Sequence, residues 1–189
     1  MKTLKVGFDL DGVILNNPLR TLRIFAKKLK VLKPIFFKQE KSPFYYPKTD
    51  WEKKFWTFVH KSSYRIDPTI YQLQSLVQEK KIDAYIISGR YSFLKKDFNR
   101  WLKKINRLNV FKKSYSNEND LQPNDFKVKM INKLKLDIYV EDNWDIIEKL
   151  NHHTKAKIFW ITNIVDRKIP YQFKFSSLKE VCQYLKKLV

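Results

Sequence analysis

Short hydrophobic runs alternate with amphipathic segments along most of this chain. The runs are rich in Val, Ile, Phe and Tyr, and each is too short for a helix. They are therefore expected to form buried strands. Four such runs are clear: residues 4–9, 82–87, 136–140 and 157–161. A run that begins at residue 109 is expected to start a further strand, and the alternation over 171–175 predicts an edge strand or an extended segment on the core.

The segments between these runs have hydrophobic residues at helical spacing. Ile70, Leu73 and Leu76 share one helix face before the second run. The spacing of Ser177 and Glu180 is that of a capping box and predicts the start of a last helix. Strands that alternate with helices predict an α/β fold, a Rossmann-like parallel sheet with helices on both faces. Such sheets bind ligands at the carboxyl ends of their strands.

Residues 17–66 break this alternation. They are basic and strongly aromatic, and prolines interrupt them. The prolines are Pro34, Pro43 and Pro47, and the aromatic residues are Phe36, Phe37, Phe44, Tyr45, Tyr46, Trp51, Phe55, Trp56 and Phe58. We interpret this segment as a small, mostly helical cap inserted after the first strand, so that residues 1–16 and 67–189 form the core domain.

Composition narrows the class of protein. The chain has 189 residues, of which 43% are hydrophobic, enough for one domain with a real core. No hydrophobic run approaches the roughly 18 residues that span a bilayer, and the N-terminal residues do not resemble a signal peptide. The single cysteine, Cys182, excludes a disulfide scaffold and a zinc site built on cysteines. We therefore expect a cytoplasmic protein with no membrane partner.

The net charge of +20 suggests nucleic acid as a partner, but its distribution weakens that interpretation. The chain has 32 lysines and 7 arginines, and the excess of positive charge is spread along most of its length. A solvated, lysine-rich surface is the favoured interpretation. A groove that binds a polyanion stays open as the alternative, so nucleic acid is a possible partner that is not favoured.

The end of the first strand has a pair of carboxylates. Asp9 and Asp11 precede Gly12, one of only three glycines in the chain. Two carboxylates at the end of a buried strand repel each other and are costly to bury unless a cation lies between them. Mg²⁺ prefers such oxygen ligands. The alternative is a polar turn, since Asp-Gly is a common turn pair.

Other predicted strand ends are polar as well. Ser88 and Gly89 follow the second strand, where a hydroxyl and free backbone N–H groups can bind a phosphate oxygen, although simple helix capping would use the same residues. Glu141 and Asp142 end the strand at 136–140 and form a second acidic pair, which could also be an ordinary polar strand end. A lysine, either Lys127 or Lys129, precedes that strand.

Taken together and in this order, these residues resemble the haloacid dehalogenase superfamily of phosphohydrolases. Asp9-Leu10-Asp11-Gly12 matches its first motif, and Ser88 matches the Ser or Thr of its second. A lysine and the pair Glu141-Asp142 match its third and fourth, although Asp-Asp is more usual than Glu-Asp. The spacing in relatives favours Lys127 over Lys129. The resemblance covers the chain except the insertion, which corresponds to a cap between the first two motifs.

The resemblance implies a mechanism. Asp9 would attack phosphorus and form an aspartyl-phosphate, and Asp11 would be the general acid and base. Mg²⁺ would be bound by Asp9, the backbone carbonyl of Asp11 and Asp142, while Glu141 would only position a metal-bound water. The phosphate oxygens would be bound by Ser88, Gly89 and Lys127.

The motifs imply a phosphate monoester without saying which one. The layout is similar to that of the 5′(3′)-deoxyribonucleotidases, so a nucleoside monophosphate is the leading substrate. The aromatic cap residues that could stack on a base are Tyr45, Tyr46, Trp51 and Trp56, and they could equally fill the cap's own core. The alternatives are a phosphatase acting on polynucleotide ends and a non-catalytic binding module. The sequence does not indicate the oligomeric state.

Overall fold

A computed structural model describes residues 3–17, 44–163 and 168–189 of the chain. Most of the predicted cap precedes residue 44. Pro34, Phe36, Phe37 and Pro43 therefore lie outside the described residues.

The described strands form one large sheet and one small one. The large sheet has six strands, β1 (Leu4–Phe8), β4 (Ile82–Tyr91), β5 (Phe111–Asn117), β6 (Ile138–Glu141), β7 (Lys157–Ile161) and β8 (Lys174–Phe175). Their order across the sheet is β5-β4-β1-β6-β7-β8, and all of the strand pairs are parallel. The parallel α/β fold predicted from the sequence is confirmed.

Helices cover both faces of the sheet. The described residues form α1 (Asp50–His60), α2 (Ile70–Gln78), α3 (Lys95–Ile105), α4 (Pro123–Leu134), α5 (Trp144–His153) and α6 (Leu178–Leu188). Short 3₁₀ turns, Ser92–Leu94 and Asn106–Leu108, flank α3. Buried residues of α2, α3 and α6 pack with Val6 and Phe8 on one face, while α4 and α5 pack with Tyr139 and Trp160 on the other. This two-sided burial explains why the strands are continuous hydrophobic runs.

Several predicted element boundaries needed correction. Strand β4 continues four residues beyond the predicted end at residue 87, and its register against β5 shifts between Ser88 and Tyr91. The run from residue 109 does lead into a strand, β5. In the alternating segment 171–175 only Lys174–Phe175 pairs, as the edge strand β8 beside β7.

A small antiparallel pair lies where the predicted cap leaves and rejoins the core. Strand β2 (Leu15–Asn16) pairs with β3 (Arg65–Ile66), with Leu15 opposite Ile66. The pair brings the two ends of the 17–66 segment together, and α1 is the helix described within it. Among the described residues, no helix has the length and apolar character that crossing a membrane requires.

Candidate active site

The strand order brings the predicted site residues together. Strand β1 lies between β4 and β6, so the carboxyl ends of these three strands are adjacent. Asp9 directly follows β1 and donates its backbone N–H to the carbonyl of Val140 at 2.9 Å, next to Glu141 at the end of β6. Ser88, near the end of β4, is buried on the other side of β1. This is the edge of the sheet at which parallel α/β folds bind ligands.

Lys127 joins two acidic residues of the cluster. Its ammonium group lies 2.8 Å from Asp9 Oδ1 and 2.6 Å from Glu141 Oε2, and its side chain is only 3% exposed. It lies in the second turn of α4, whose first residue is Pro123. The alternative lysine, Lys129, is exposed on the same helix. The geometry therefore places Lys127, rather than Lys129, at the strand ends.

The buried acidic cluster has more carboxylates than cations. Asp9, Glu141 and Asp142 are all buried and can each offer an oxygen within 4.8 Å of the others. Burial is the main cause that raises the pKa of Asp9 to about 6 and that of Glu141 to about 8. Lys127 opposes this rise, and the neighbouring carboxylates add to it. Burial alone would lower the pKa of Lys127, but Asp9 and Glu141 more than offset it and raise the value. Three carboxylates face one ammonium group, and this donor set fits a hard divalent cation such as Mg²⁺.

The two members of the second acidic pair differ in their contacts. Glu141 Oε2 accepts from Lys127, and Glu141 Oε1 accepts from the backbone N–H groups of Asp142 and Asn143 at 3.2 and 3.1 Å. Because both of its oxygens have protein donors, Glu141 orients Lys127 and the turn after β6. Asp142 and Asp9 are then the side chains best suited to bind a metal directly.

Two glycines allow close packing at the site. Gly12 has a positive φ of 79°, and a Cβ there would lie 2.7 Å from Asp142 Cγ and still closer to Asp142 Oδ2. At Gly89 a Cβ would lie 2.9 Å from Pro123 Cβ and 3.5 Å from Lys127 Cε. Gly12 thus lets the Asp142 carboxylate approach the turn after Asp9, and Gly89 lets the start of α4 approach β4.

The position of Ser88 and Gly89 differs from the expected one. Both lie inside β4, at its register shift, rather than at a junction between strand and helix. The reason is that β5 pairs with β4 as far as Tyr91. Ser88 and Gly89 nevertheless line the same cavity as Asp9, Asp11 and Lys127, and Ser88 Oγ accepts from the backbone N–H of Arg90 at 3.4 Å.

Asp11 has partners that the sequence did not indicate. Arg90 donates from Nε to Asp11 Oδ2 and from Nη2 to Asp11 Oδ1, both at 2.7 Å. Ser63, in the loop after α1, donates to Asp11 Oδ1 at 3.0 Å. Burial raises the pKa of Asp11, but the charge and hydrogen bonds of Arg90 more than offset it and hold the value well below the usual range. Arg90 follows the Ser88-Gly89 pair directly, and this adjacency was the only sequence signal for its role.

A cavity of about 260 Å³ opens above the cluster. Of the four predicted cap residues, Tyr45 and Trp56 line it, together with His60 of α1. The other two do not line it. Tyr46 packs edge-on against Tyr91 and donates to Asp120 Oδ2 at 3.1 Å, and Trp51, which is 73% exposed, stacks on Phe55.

A larger depression, of about 1150 Å³, lies elsewhere on the core. Its lining includes Leu4, at the start of β1, and His152 and His153 at the end of α5. It contains none of the carboxylates of the buried cluster. The smaller cavity, where the buried charged groups meet, is therefore the candidate site.

Comparison with known proteins supports the fold. No protein-family model and no curated protein sequence matches the chain. A HAD-superfamily (haloacid dehalogenase) hydrolase from Ehrlichia chaffeensis aligns with a TM-score of 0.54 and 14% identity, over 100% of this chain and 98% of that one. For CbbY from Rhodobacter sphaeroides, in complex with phosphate, the TM-score is 0.55 and the identity 12%, over 95% and 96%.

The HAD-type protein YfnB from Bacillus subtilis, bound to magnesium, aligns with a TM-score of 0.61 and 14% identity, over 98% of this chain and 100% of that chain. Identities this low establish a shared fold, and activity has to be argued from the site itself. The chain therefore has the fold of the haloacid dehalogenase superfamily.

Proposed function

We propose that this protein is a Mg²⁺-dependent phosphatase that hydrolyses a phosphate monoester through a phosphorylated Asp9. The observation that carries the proposal is the buried contact of Lys127 with both Asp9 and Glu141, at 2.8 and 2.6 Å, beside Asp142. A purely structural role for this cluster is disfavoured, because excess buried negative charge destabilises a fold unless a ligand compensates it.

The residues divide the chemistry as follows. Asp9 is the nucleophile that attacks phosphorus, and Asp11 exchanges protons with the leaving oxygen and with the attacking water. Lys127, Ser88 and the backbone at Gly89 neutralise the phosphate oxygens. Mg²⁺ bound by Asp9, Asp142 and the carbonyl of Asp11 would supply charge compensation between the carboxylates and the phosphate.

The substrate that we favour is a nucleoside monophosphate. The cavity of about 260 Å³ is lined both by the core residues Asp9 and Lys127 and by aromatic residues of the insertion. Tyr45 and Trp56 line it and offer aromatic faces for a base, each worth on the order of 1–3 kcal/mol in stacking. Tyr46 and Trp51, which the sequence also suggested for stacking, do not line the cavity, and we do not propose that they contact the substrate.

The test is phosphate release by the purified protein from nucleoside monophosphates, sugar phosphates and phosphorylated oligonucleotides, with Mg²⁺ or with EDTA. Asp9→Asn should reduce the rate to background, and EDTA should do the same to the wild type. Asp83→Asn is the matched control, because Asp83 lies at the start of β4 and pairs with Lys112 at the surface, 2.9 Å away. The proposal fails if the folded protein with Mg²⁺ releases phosphate from none of these esters, or if Asp9→Asn retains the wild-type rate.

A further inference from the structure

The guanidinium group of Arg90 joins the site to the core through two carboxylates. It forms a two-pronged contact with Asp11, with both N–O distances 2.7 Å, and its remaining Nη1 donates to Asp97 Oδ2 at 2.8 Å. Planar forks of this kind fix the orientation of a carboxylate as well as its position.

Burial makes this arrangement rigid. The Arg90 side chain is 2% exposed and that of Asp97 is 4% exposed. Asp97 lies in the first turn of α3 and also contacts Arg100. The guanidinium is therefore fixed from the side of α3, and the Asp11 carboxylate is fixed in turn by Arg90 from the core and by the Ser63 hydroxyl from the loop after α1.

We propose that Arg90 is a positioning residue, which orients the Asp11 carboxylate toward the water that hydrolyses phosphorylated Asp9. This inference rests on the proposed function. In that step the water oxygen forms a bond to phosphorus, the bond between phosphorus and the Asp9 oxygen breaks, and the water proton passes to Asp11. Inorganic phosphate and the Asp9 carboxylate are the products. In this role Arg90 acts through Asp11, to which its Nε and Nη2 donate, while its Nη1 donates to Asp97.

The proposed role of Arg90 affects the two halves of the reaction differently: the phosphorylation of Asp9 and the hydrolysis of phosphorylated Asp9. With p-nitrophenyl phosphate the leaving group needs no proton, so Asp9 can be phosphorylated even when Asp11 is misplaced. The second half depends on Asp11 as a base, and general acid–base catalysis is typically worth about 10²–10⁴-fold. Loss of the bidentate contact between Arg90 and Asp11 should therefore slow the hydrolysis of phosphorylated Asp9 selectively and allow the phosphorylated enzyme to accumulate.

The test uses Arg90→Lys, which keeps a positive charge between the Asp11 and Asp97 carboxylates but cannot form the planar bidentate contact. After rapid mixing with p-nitrophenyl phosphate and Mg²⁺, we expect a burst of about one equivalent of p-nitrophenol and a steady-state rate lower by about 10²-fold. Intact-protein mass spectrometry should detect phosphorylated protein. Asp97→Asn, which loosens Arg90 but leaves its contact with Asp11, should show the same pattern with a loss of about tenfold.

Arg107→Lys, at an exposed position in the turn after α3, is the matched control and should behave like the wild type. The inference is overturned if folded Arg90→Lys and Asp97→Asn turn over within threefold of the wild type. An equal slowing of both halves without phosphorylated protein overturns it too, because that is what a merely structural role would produce. Wild-type protein that turns over no ester would instead refute the proposed function and this inference with it.

Discussion

Lys127→Met tests the charge balance of the site most directly. The substitution keeps a long apolar stem in a buried position but removes the ammonium that contacts Asp9 and Glu141. Breaking a buried ion pair by removing one partner typically costs about 3–5 kcal/mol, because the remaining charge is left buried and uncompensated. Here two carboxylates lose a partner, so we expect a loss in the upper part of that range when no metal is present.

The assay is thermal and chemical unfolding at pH 8 with EDTA. A chain of this size changes its melting temperature by roughly 2–4 °C per kcal/mol, so a loss of about 3–5 kcal/mol corresponds to roughly 6–20 °C. Added Mg²⁺ should recover part of this loss, since it binds the folded state and neutralises the same carboxylates. Phosphatase activity with Mg²⁺ should fall by about 10²–10³-fold, as it does when one preorganised group that stabilises developing charge is removed.

Lys129→Met is the control, because Lys129 lies two residues along the same helix and is exposed. It removes the same charge from the whole chain without touching the cluster, and its melting temperature should change by less than about 2 °C, as expected for a surface substitution. Equal stability of the two variants in EDTA would refute the argument that Lys127 compensates buried negative charge. Equal activity would refute its assignment to the site.

Three further outcomes follow from the same geometry. Gly12→Ala should weaken Mg²⁺ activation and lower the stability by about 1–2 kcal/mol, because φ is positive at this residue and the new Cβ would clash with Asp142. Metal titration and unfolding measure the two effects, and an unchanged Mg²⁺ affinity would contradict this. Trp56→Ala should raise KM for a nucleoside monophosphate severalfold and Trp51→Ala should not, because Trp56 lines the cavity and Trp51 does not. Equal effects of the two substitutions would contradict the proposal that Trp56 stacks on the base. Burial raises the pKa of Glu141 from 4.5 to about 8, so the metal-free protein should lose stability as the pH rises between these two values. Mg²⁺ should therefore raise the melting temperature more at pH 8 than at pH 6. Equal increases at the two pH values would contradict this.

The sequence was sufficient for the parts of the site that are tied to strand ends. Hydrophobic runs located β1 and β6, and a parallel sheet necessarily places their carboxyl ends along one edge. Asp9 and Asp142 follow those strands directly, so their proximity could be predicted without knowing any side-chain packing. Lys127 came from spacing within a resemblance, and its burial between two carboxylates is what the structure adds.

The partners of Asp11 could not be predicted, because they depend on the tertiary path of the chain. Arg90 reaches Asp11 only because β4 continues beyond Ser88, and that continuation is set by pairing with β5. Ser63 reaches it only because β2 and β3 bring the end of the insertion back to the core. Neither pairing leaves a local pattern near residue 63 or 90.

The aromatic residues of the insertion show a different limit. The sequence gives no basis for distinguishing the aromatic residues Tyr45, Tyr46 and Trp56 from one another. Only the direction of each ring in the folded chain decides whether it faces the cavity. A helix has both an inner and an outer face, so α1 places Trp56 at the site and leaves Trp51 exposed. Stacking surfaces could therefore be predicted as a group but not assigned one by one.

The distribution of charge explains how a chain with a net charge of +20 can still contain a locally anionic cluster. Around Asp11, the cationic Arg90 lies between two carboxylates, and Arg100 contacts the outer one. Around Asp9, Lys127 is the only cation among the described contacts, and it contacts two of the three clustered carboxylates. Most of the lysines that the structure describes are exposed, where water screens them from the cluster. The surface charge can attract an anionic ester. Within the cluster, the proposed Mg²⁺ would compensate the carboxylate charge that Lys127 leaves unbalanced.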